Sequence, residues 1–262
     1  MIADAVRAQI AARLAAVAAE EGVRILYAAE SGSRAWGFGS PDSDYDVRFI
    51  YAHERDWYVR LWEDRDVIER ALDEQLVDLA GWDIRKALRL ALKSNPVLYE
   101  WLVSPIVYAD GRLRAELRAL FEAHASQRAL AHHYWSIARG QWKSEIDGKR
   151  EVRRKKYFYI VRPLLSLGWV AERKGPPPMS IGDLLGQSAM PAQPRKAVEA
   201  MLREKRETPE LGTSPPIVEI DGWVVAELER LHPDRLVLSA EPRQDMREEA
   251  DRFYRRIIAV EA

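Results

Sequence analysis

Cysteine is absent from the 262-residue chain. That excludes disulfides and thiolate metal sites, and it fits a cytoplasmic protein. Long apolar runs are missing too. None approaches the roughly 20 residues that a membrane helix needs, so no membrane-embedded segment is expected. The Ala-rich start is broken by Asp4, Arg7, Arg13 and Glu20 and lacks the apolar centre of a secretory signal, so no leader is expected. Internal repeats and low-complexity tracts do not stand out. An overall excess of one charge is also lacking, because the formal net charge is −1. The charge is nevertheless uneven. Residues 139–174 carry eleven Lys/Arg against four Asp/Glu, which leaves the rest of the chain acidic. Such a stripe suits phosphate or nucleic-acid contact, although a solvated helix face accounts for charge alone equally well.

What is present is an ordinary globular composition, 47% hydrophobic and 31% charged, long enough for one large domain or two small ones. The most informative stretch is 30–51, E-S-G-S-R-A-W-G-F-G-S-P-D-S-D-Y-D-V-R-F-I-Y. An apolar run ends in a Ser31-Gly32-Ser33 turn, and Asp44-Tyr45-Asp46 leads into a second apolar run. Residues i and i+2 of a strand share a face, so Asp44 and Asp46 are expected to project together. Carboxylates that close repel unless a cation lies between them. Magnesium takes oxygen ligands and commonly keeps nucleotide phosphates in its shell. A Gly-Ser turn offers backbone N–H groups to a phosphate without side-chain obstruction. The pattern suits a metal–nucleoside triphosphate.

Periodicity predicts a helix over 2–20, a strand over 23–29, a short helix from Arg34, a second strand over 45–51 and a short strand at 67–68. The aromatic run with Trp57, Tyr58, Leu61 and Trp62 reads as core. A strand is expected over 74–79. Asp78 lies inside it between Val77 and Leu79, a setting that calls for a partner or a metal. Asp83 precedes an amphipathic helix and reads as its N-cap. That helix ends at Ser94-Asn95-Pro96, and Pro96 fits the first turn of the next. From residue 112 onward the pattern is helical: a helix capped by Ser126, a basic helix beginning near residue 150 with a kink at Pro163, and helices over 180–185, 194–206, 216–231 and 244–260. On the basic helix, Arg153, Lys156, Tyr157 and Ile160 would share one face. The fold class is α+β, a small mixed sheet flanked by helices and followed by an all-α C-terminal half. The expected domains are 1–110, catalytic, and 111–262, helical.

Gly32-Ser33, ten residues, then Asp44-x-Asp46 resembles the signature of the DNA polymerase β-type nucleotidyltransferase superfamily. The string from Gly32 to Tyr51 resembles one bacterial branch of predicted nucleotidyltransferases associated with RNA ligase and RNA repair. G-W-D-I-R-K-A-L-R-L-A-L-K-S-N-P, V-R-R-K-K-Y-F-Y and R-P-L-L continue the likeness over most of the chain. The resemblance implies transfer of a nucleoside monophosphate from a triphosphate to a hydroxyl, with RNA, a protein side chain or a small molecule as acceptor. It implies Mg2+, with Mn2+ as an alternative, held by Asp44, Asp46 and a third carboxylate on the neighbouring strand, best matched by Asp78. Asp78 would also serve as general base. Gly32 and Ser33 would hold phosphates, helped by Arg34, with Lys155, Lys156 and Tyr157 near the triphosphate or acceptor. Two other readings compete: a non-catalytic nucleotide- or RNA-binding regulator, and a D-x-D glycosyltransferase.

Overall fold

In chain order the elements are α1 (Asp4–Glu21), β1 (Arg24–Glu30), α2 (Gly32–Trp36), β2 (Tyr45–Ala52), β3 (Val67–Arg70), β4 (Val77–Asp83), α3 (Ile84–Leu92), α4 (Pro96–Leu102), β5 (Val107–Ala109) and α5 (Arg112–His124). They continue with α6 (Gln127–Glu145), β6 (Val152–Arg153), α7 (Phe158–Arg173), α8 (Ile181–Gln187), α9 (Ala192–Glu207), β7 (Thr213–Ser214), α10 (Val218–Arg230) and α11 (Asp245–Ile258). The computed structural model describes residues 2–173, 175–208, 211–238 and 245–259. Lys174, at the end of the basic segment, and Gln244 and Val260, at the ends of the last expected helix, lie outside them. The chain forms two units: Met1–Gly32, Asp44–His124 and Pro242–Ala262 in the first, Ser33–Ser43 and Ala125–Glu241 in the second. Residues 110 and 111 both fall in the first.

The first unit carries a five-stranded mixed sheet in the order β3-β4-β2-β1-β5. β2 runs parallel to β4, and the β1–β2, β1–β5 and β3–β4 pairs are antiparallel. β2 alternates in burial over Asp46–Phe49, as a half-buried strand should, and is buried on both faces from Ile50 to Ala52. Val47, Phe49 and Tyr51 join Ile10, Leu14 and Val17 of α1 in the core, with Val77 and Leu79 of β4 and Ile68 of β3. The intervening residues, Asp46, Arg48 and Ile50, therefore line the opposite face. α1 stops where Gly22 adopts φ +60°, and its N–H caps the Ala18 carbonyl.

Local signals set several boundaries. Asn95 caps α4, with Pro96 in the first turn, and Ser126 caps α6. The strand expected over 74–79 instead runs Val77–Asp83. Asp73 explains the shift, because its carboxylate accepts from the Gln75 and Val77 N–H groups and holds 73–76 as a turn. Asp83 is the predicted cap, accepting from Arg85 N–H at 2.8 Å, while the Tyr58 hydroxyl donates to its other oxygen at 2.7 Å. The aromatic run divides. Trp57 stacks on His53 at 3.9 Å and Tyr58 meets Tyr254 edge-on, but Leu61 and Trp62 are exposed.

Burial holds the Asp83 carboxyl above its ordinary value of 3.8, outweighing the Tyr58 and Arg85 hydrogen bonds. A raised folded-state pKa stabilises most below the unfolded value, and that contribution is lost as pH rises through the folded value. Asn at this position caps equally and does not titrate. Wild-type stability is thus expected to fall relative to that of Asp83→Asn as pH climbs from 3.8 upward in urea melts. Parallel curves across that window would refute the argument.

Among the described residues, the second unit carries the β6–β7 pair and is otherwise made of helices and the turns and loops between them. The helix expected from residue 150 begins later: Val152–Arg153 pair with Thr213–Ser214, Arg154–Tyr157 form a single 3-10 turn, and α7 starts at Phe158 and runs through Pro163. A tertiary pairing has overridden helical periodicity, so Arg153, Lys156, Tyr157 and Ile160 do not form one α-helical face. Arg154 instead grips Glu204 with both guanidinium nitrogens, at 2.6 and 2.7 Å. Residues 33–43 pack here too, with Phe38 stacked on Phe158 at 4.9 Å and the Arg162 guanidinium 4.7 Å from the Trp36 ring.

Candidate active site

The parallel register of β2 and β4 sets Asp46 directly opposite Asp78. Adjacent strands lie about 4.8 Å apart, so two carboxylates at paired positions on one face are forced together. Arg48, two residues along from Asp46 on the same face, lies between them. Its Nη2 donates to Asp46 Oδ1 at 2.9 Å and to Asp78 Oδ2 at 2.7 Å. Its Nη1 donates to the Val47 and Asp78 carbonyls, both at 3.2 Å. The three side chains are partly exposed, at 18% for Arg48, 30% for Asp46 and 34% for Asp78, so the cluster opens to solvent.

The backbone at Asp46 is fixed from the other side. Glu30, fully buried at the end of β1, accepts the Asp46 N–H on Oε1 at 3.0 Å and the Tyr108 hydroxyl on Oε2. Ser31 N–H donates to the Asp46 carbonyl at 2.8 Å. Gly32 follows with φ +57°, and a Cβ placed there would lie 1.9 Å from Asp46 Oδ2. The Gly-Ser turn thus presents bare backbone against the Asp46 carboxylate, which only glycine permits.

Asp44 is exposed and stands one residue ahead of β2, outside the strand that aligns Asp46. Arg34, in the second unit, donates through Nε and Nη2 to the Ser43 carbonyl and through Nη2 to that of Pro41, tying the ends of its loop together. Ser33 accepts the Phe38 N–H. Buried Lys205 donates to Ser40 in the same loop at 2.8 Å. Lys155 is half-buried, and Lys156 pairs with Glu145 at 3.0 Å. Tyr157 is fully buried; its hydroxyl donates to Asp221 at 2.7 Å and accepts from Ile217 N–H at 2.8 Å.

The structure therefore brings Asp46, Asp78 and Gly32 together. Sequence reasoning missed Arg48 and Glu30. Both carried a signal: each is a charged residue within or at the end of an apolar strand, and Arg48 obeys the i, i+2 rule used for Asp44 and Asp46. Among the described residues no group of three His, Asp or Glu side chains is gathered to hold a metal ion. The Asp46–Asp78 pair fits a divalent cation by chemistry, being hard oxygen donors on one open face beside a cradle that a Cβ would fill.

The small mixed sheet flanked by helices is the fold of the polymerase β-type nucleotidyltransferases. The chain belongs to the RNA repair pathway DNA polymerase beta family, whose model matches residues 6–256. It is 42% identical over 233 residues to an uncharacterized protein of Bacillus subtilis (strain 168), YcgL, covering 88% of each chain. A solved nucleotidyltransferase-like protein from Exiguobacterium sibiricum 255-15 is 13% identical, with 86% of this chain and 75% of that one covered at a TM-score of 0.30, which is too low to carry a structural argument. No helix among the described residues is long and apolar enough to cross a membrane.

Proposed function

We propose that the protein is a metal-dependent nucleotidyltransferase, moving a nucleoside monophosphate from a triphosphate to a hydroxyl, with an RNA end as the favoured acceptor. The observation that carries the reading is the register-matched Asp46–Asp78 pair against Gly32. Family membership supports the reaction class and makes RNA the first acceptor to test. Asp46 and Asp78 would hold Mg2+ or Mn2+, with Asp44 completing the set from the segment just before β2. A bound divalent ion supplies charge neutralisation on the phosphates and acidifies the attacking hydroxyl.

In the transfer, the acceptor oxygen forms a bond to the α-phosphorus as the bond from that phosphorus to the bridging oxygen breaks, and pyrophosphate leaves. The acceptor proton passes to the Asp78 carboxylate. Gly32 and Ser33 offer backbone N–H groups to the phosphates, and Gly32 keeps the approach clear. Arg34, Lys155 and Lys156 are assigned to the triphosphate or acceptor by charge, and each assignment stands or falls with its own charge-removing substitution. Tyr157 contributes from the interior by holding residues 217 and 221.

Incubation with each α-labelled nucleoside triphosphate and Mg2+, with and without total RNA, tests this directly. Label is expected in RNA. Label on protein would keep the transferase and change the acceptor. Binding of triphosphate without transfer to any acceptor would favour a nucleotide-binding regulator, and binding of a nucleoside diphosphate-sugar in preference to a triphosphate would point to a glycosyltransferase.

A further inference from the structure

We propose that Arg48 is the resident counter-ion of the Asp46–Asp78 pair, and that a divalent cation enters the site by displacing it. The proposal rests on the reading of that pair as the metal site. Two carboxylates at paired positions need a cation between them. Arg48 Nη2 supplies it, 2.9 Å from Asp46 Oδ1 and 2.7 Å from Asp78 Oδ2. A divalent ion held by Asp46 and Asp78 would compete with the guanidinium nitrogen for the same carboxylate oxygens.

The two cations are therefore alternatives on those oxygens. Arginine does not deprotonate in proteins, so it cannot yield by losing its charge and has to move. Its remaining bonds, to the Val47 and Asp78 carbonyls, are both 3.2 Å, at the long end of the normal range, so withdrawal gives up little. One consequence is that the empty site stays ordered, because the carboxylates are never left facing each other unscreened. Another is that metal affinity is held below that of a bare carboxylate pair, since each ion bound must break the Arg48 contacts.

The test uses the full chain as wild type, Arg48→Gln, Arg48→Lys and Asp46→Asn. Melting temperature is read in chelator and in Mg2+, and Mn2+ binding by titration of the free ion. Arg48→Gln is expected to melt lower than wild type in chelator, to gain more from Mg2+, and to bind Mn2+ roughly tenfold more tightly, the scale of one lost competing contact. Arg48→Lys should fall between the two, because an ammonium lacks the fork that spans both carboxylates. Should Arg48→Gln not fold in chelator, Arg48→Lys carries the test by the same criterion. Mn2+ binding that is unchanged or weaker in the Arg48 variants overturns the exchange. Wild type that binds no Mn2+ overturns the metal reading itself, whereas binding that is lost in Asp46→Asn, together with weaker binding in Arg48→Gln, overturns the Arg48 proposal alone.

Discussion

Asp46→Asn is expected to abolish nucleotidyl transfer while leaving the melting temperature within a few degrees of wild type. The position joins four constraints. Its N–H is taken by buried Glu30 and its carbonyl by Ser31, and neither contact involves the side chain. Its Oδ1 faces Arg48, and its other oxygen lies against Gly32. Asparagine keeps the shape, the backbone contacts and one acceptor for Arg48, so the sheet has no reason to rearrange. What it loses is the negative charge that a divalent ion requires. Removal of a group that merely supports a metal ligand typically costs ~10–100-fold, so loss of a ligand itself should exceed about 100-fold. The measurement is transfer of α-label alongside a thermal melt. Wild-type activity in Asp46→Asn would remove the proposed site, and an unfolded variant would place Asp46 among the structural residues instead.

Gly32→Ala carries the second large effect, through two separable causes. The residue holds φ +57°, where a Cβ costs roughly 1–2 kcal/mol. The same Cβ would fall 1.9 Å from Asp46 Oδ2, far inside van der Waals contact, so the carboxylate must leave its position. Transfer should drop on the scale of Asp46→Asn although no charge has been removed. A double-mutant cycle separates the causes. In an Asp46→Ala background the collision with the carboxylate disappears, leaving the backbone strain and a 3.3 Å approach to the residue-46 Cβ, so Gly32→Ala should cost less stability there than in wild type. Equal costs in both backgrounds would show that the Asp46 carboxylate does not lie against this turn.

Both substitutions act on residues that were legible in the chain, and the reasons differ in kind. Gly32, Asp44 and Asp46 stand close in sequence, and strand alternation ties Asp46 to its face without any long-range information. Asp83 was legible as a cap because capping is a bond to the backbone two residues on. Asp78 was suspect as a carboxylate among apolar neighbours, and it was the family resemblance, not the local pattern, that set it on the strand beside Asp46. The strand expected at 74–79 is displaced because Asp73 folds 73–76 into a turn, a local competition that apolar alternation does not register. The basic segment failed for a longer-range reason. Its helical spacing is real, yet Val152 and Arg153 pair with residues 213 and 214, some 60 positions away.

The sequence by itself determined the family, the α+β character, the Gly-Ser turn and the acidic residues, because each rests on spacings of a few residues and on side-chain chemistry that survives any fold. Tertiary structure alone decided the parallel register that sets Asp46 directly opposite Asp78, that Arg48 closes the gap between them, that Glu30 and Tyr108 lock the Asp46 backbone, and that α11 returns to the first unit. Those outcomes depend on register. A slip of one residue in the β2–β4 pairing would move one carboxylate to the other face of the sheet, and no local pattern in either strand encodes which residues of the two come to lie side by side.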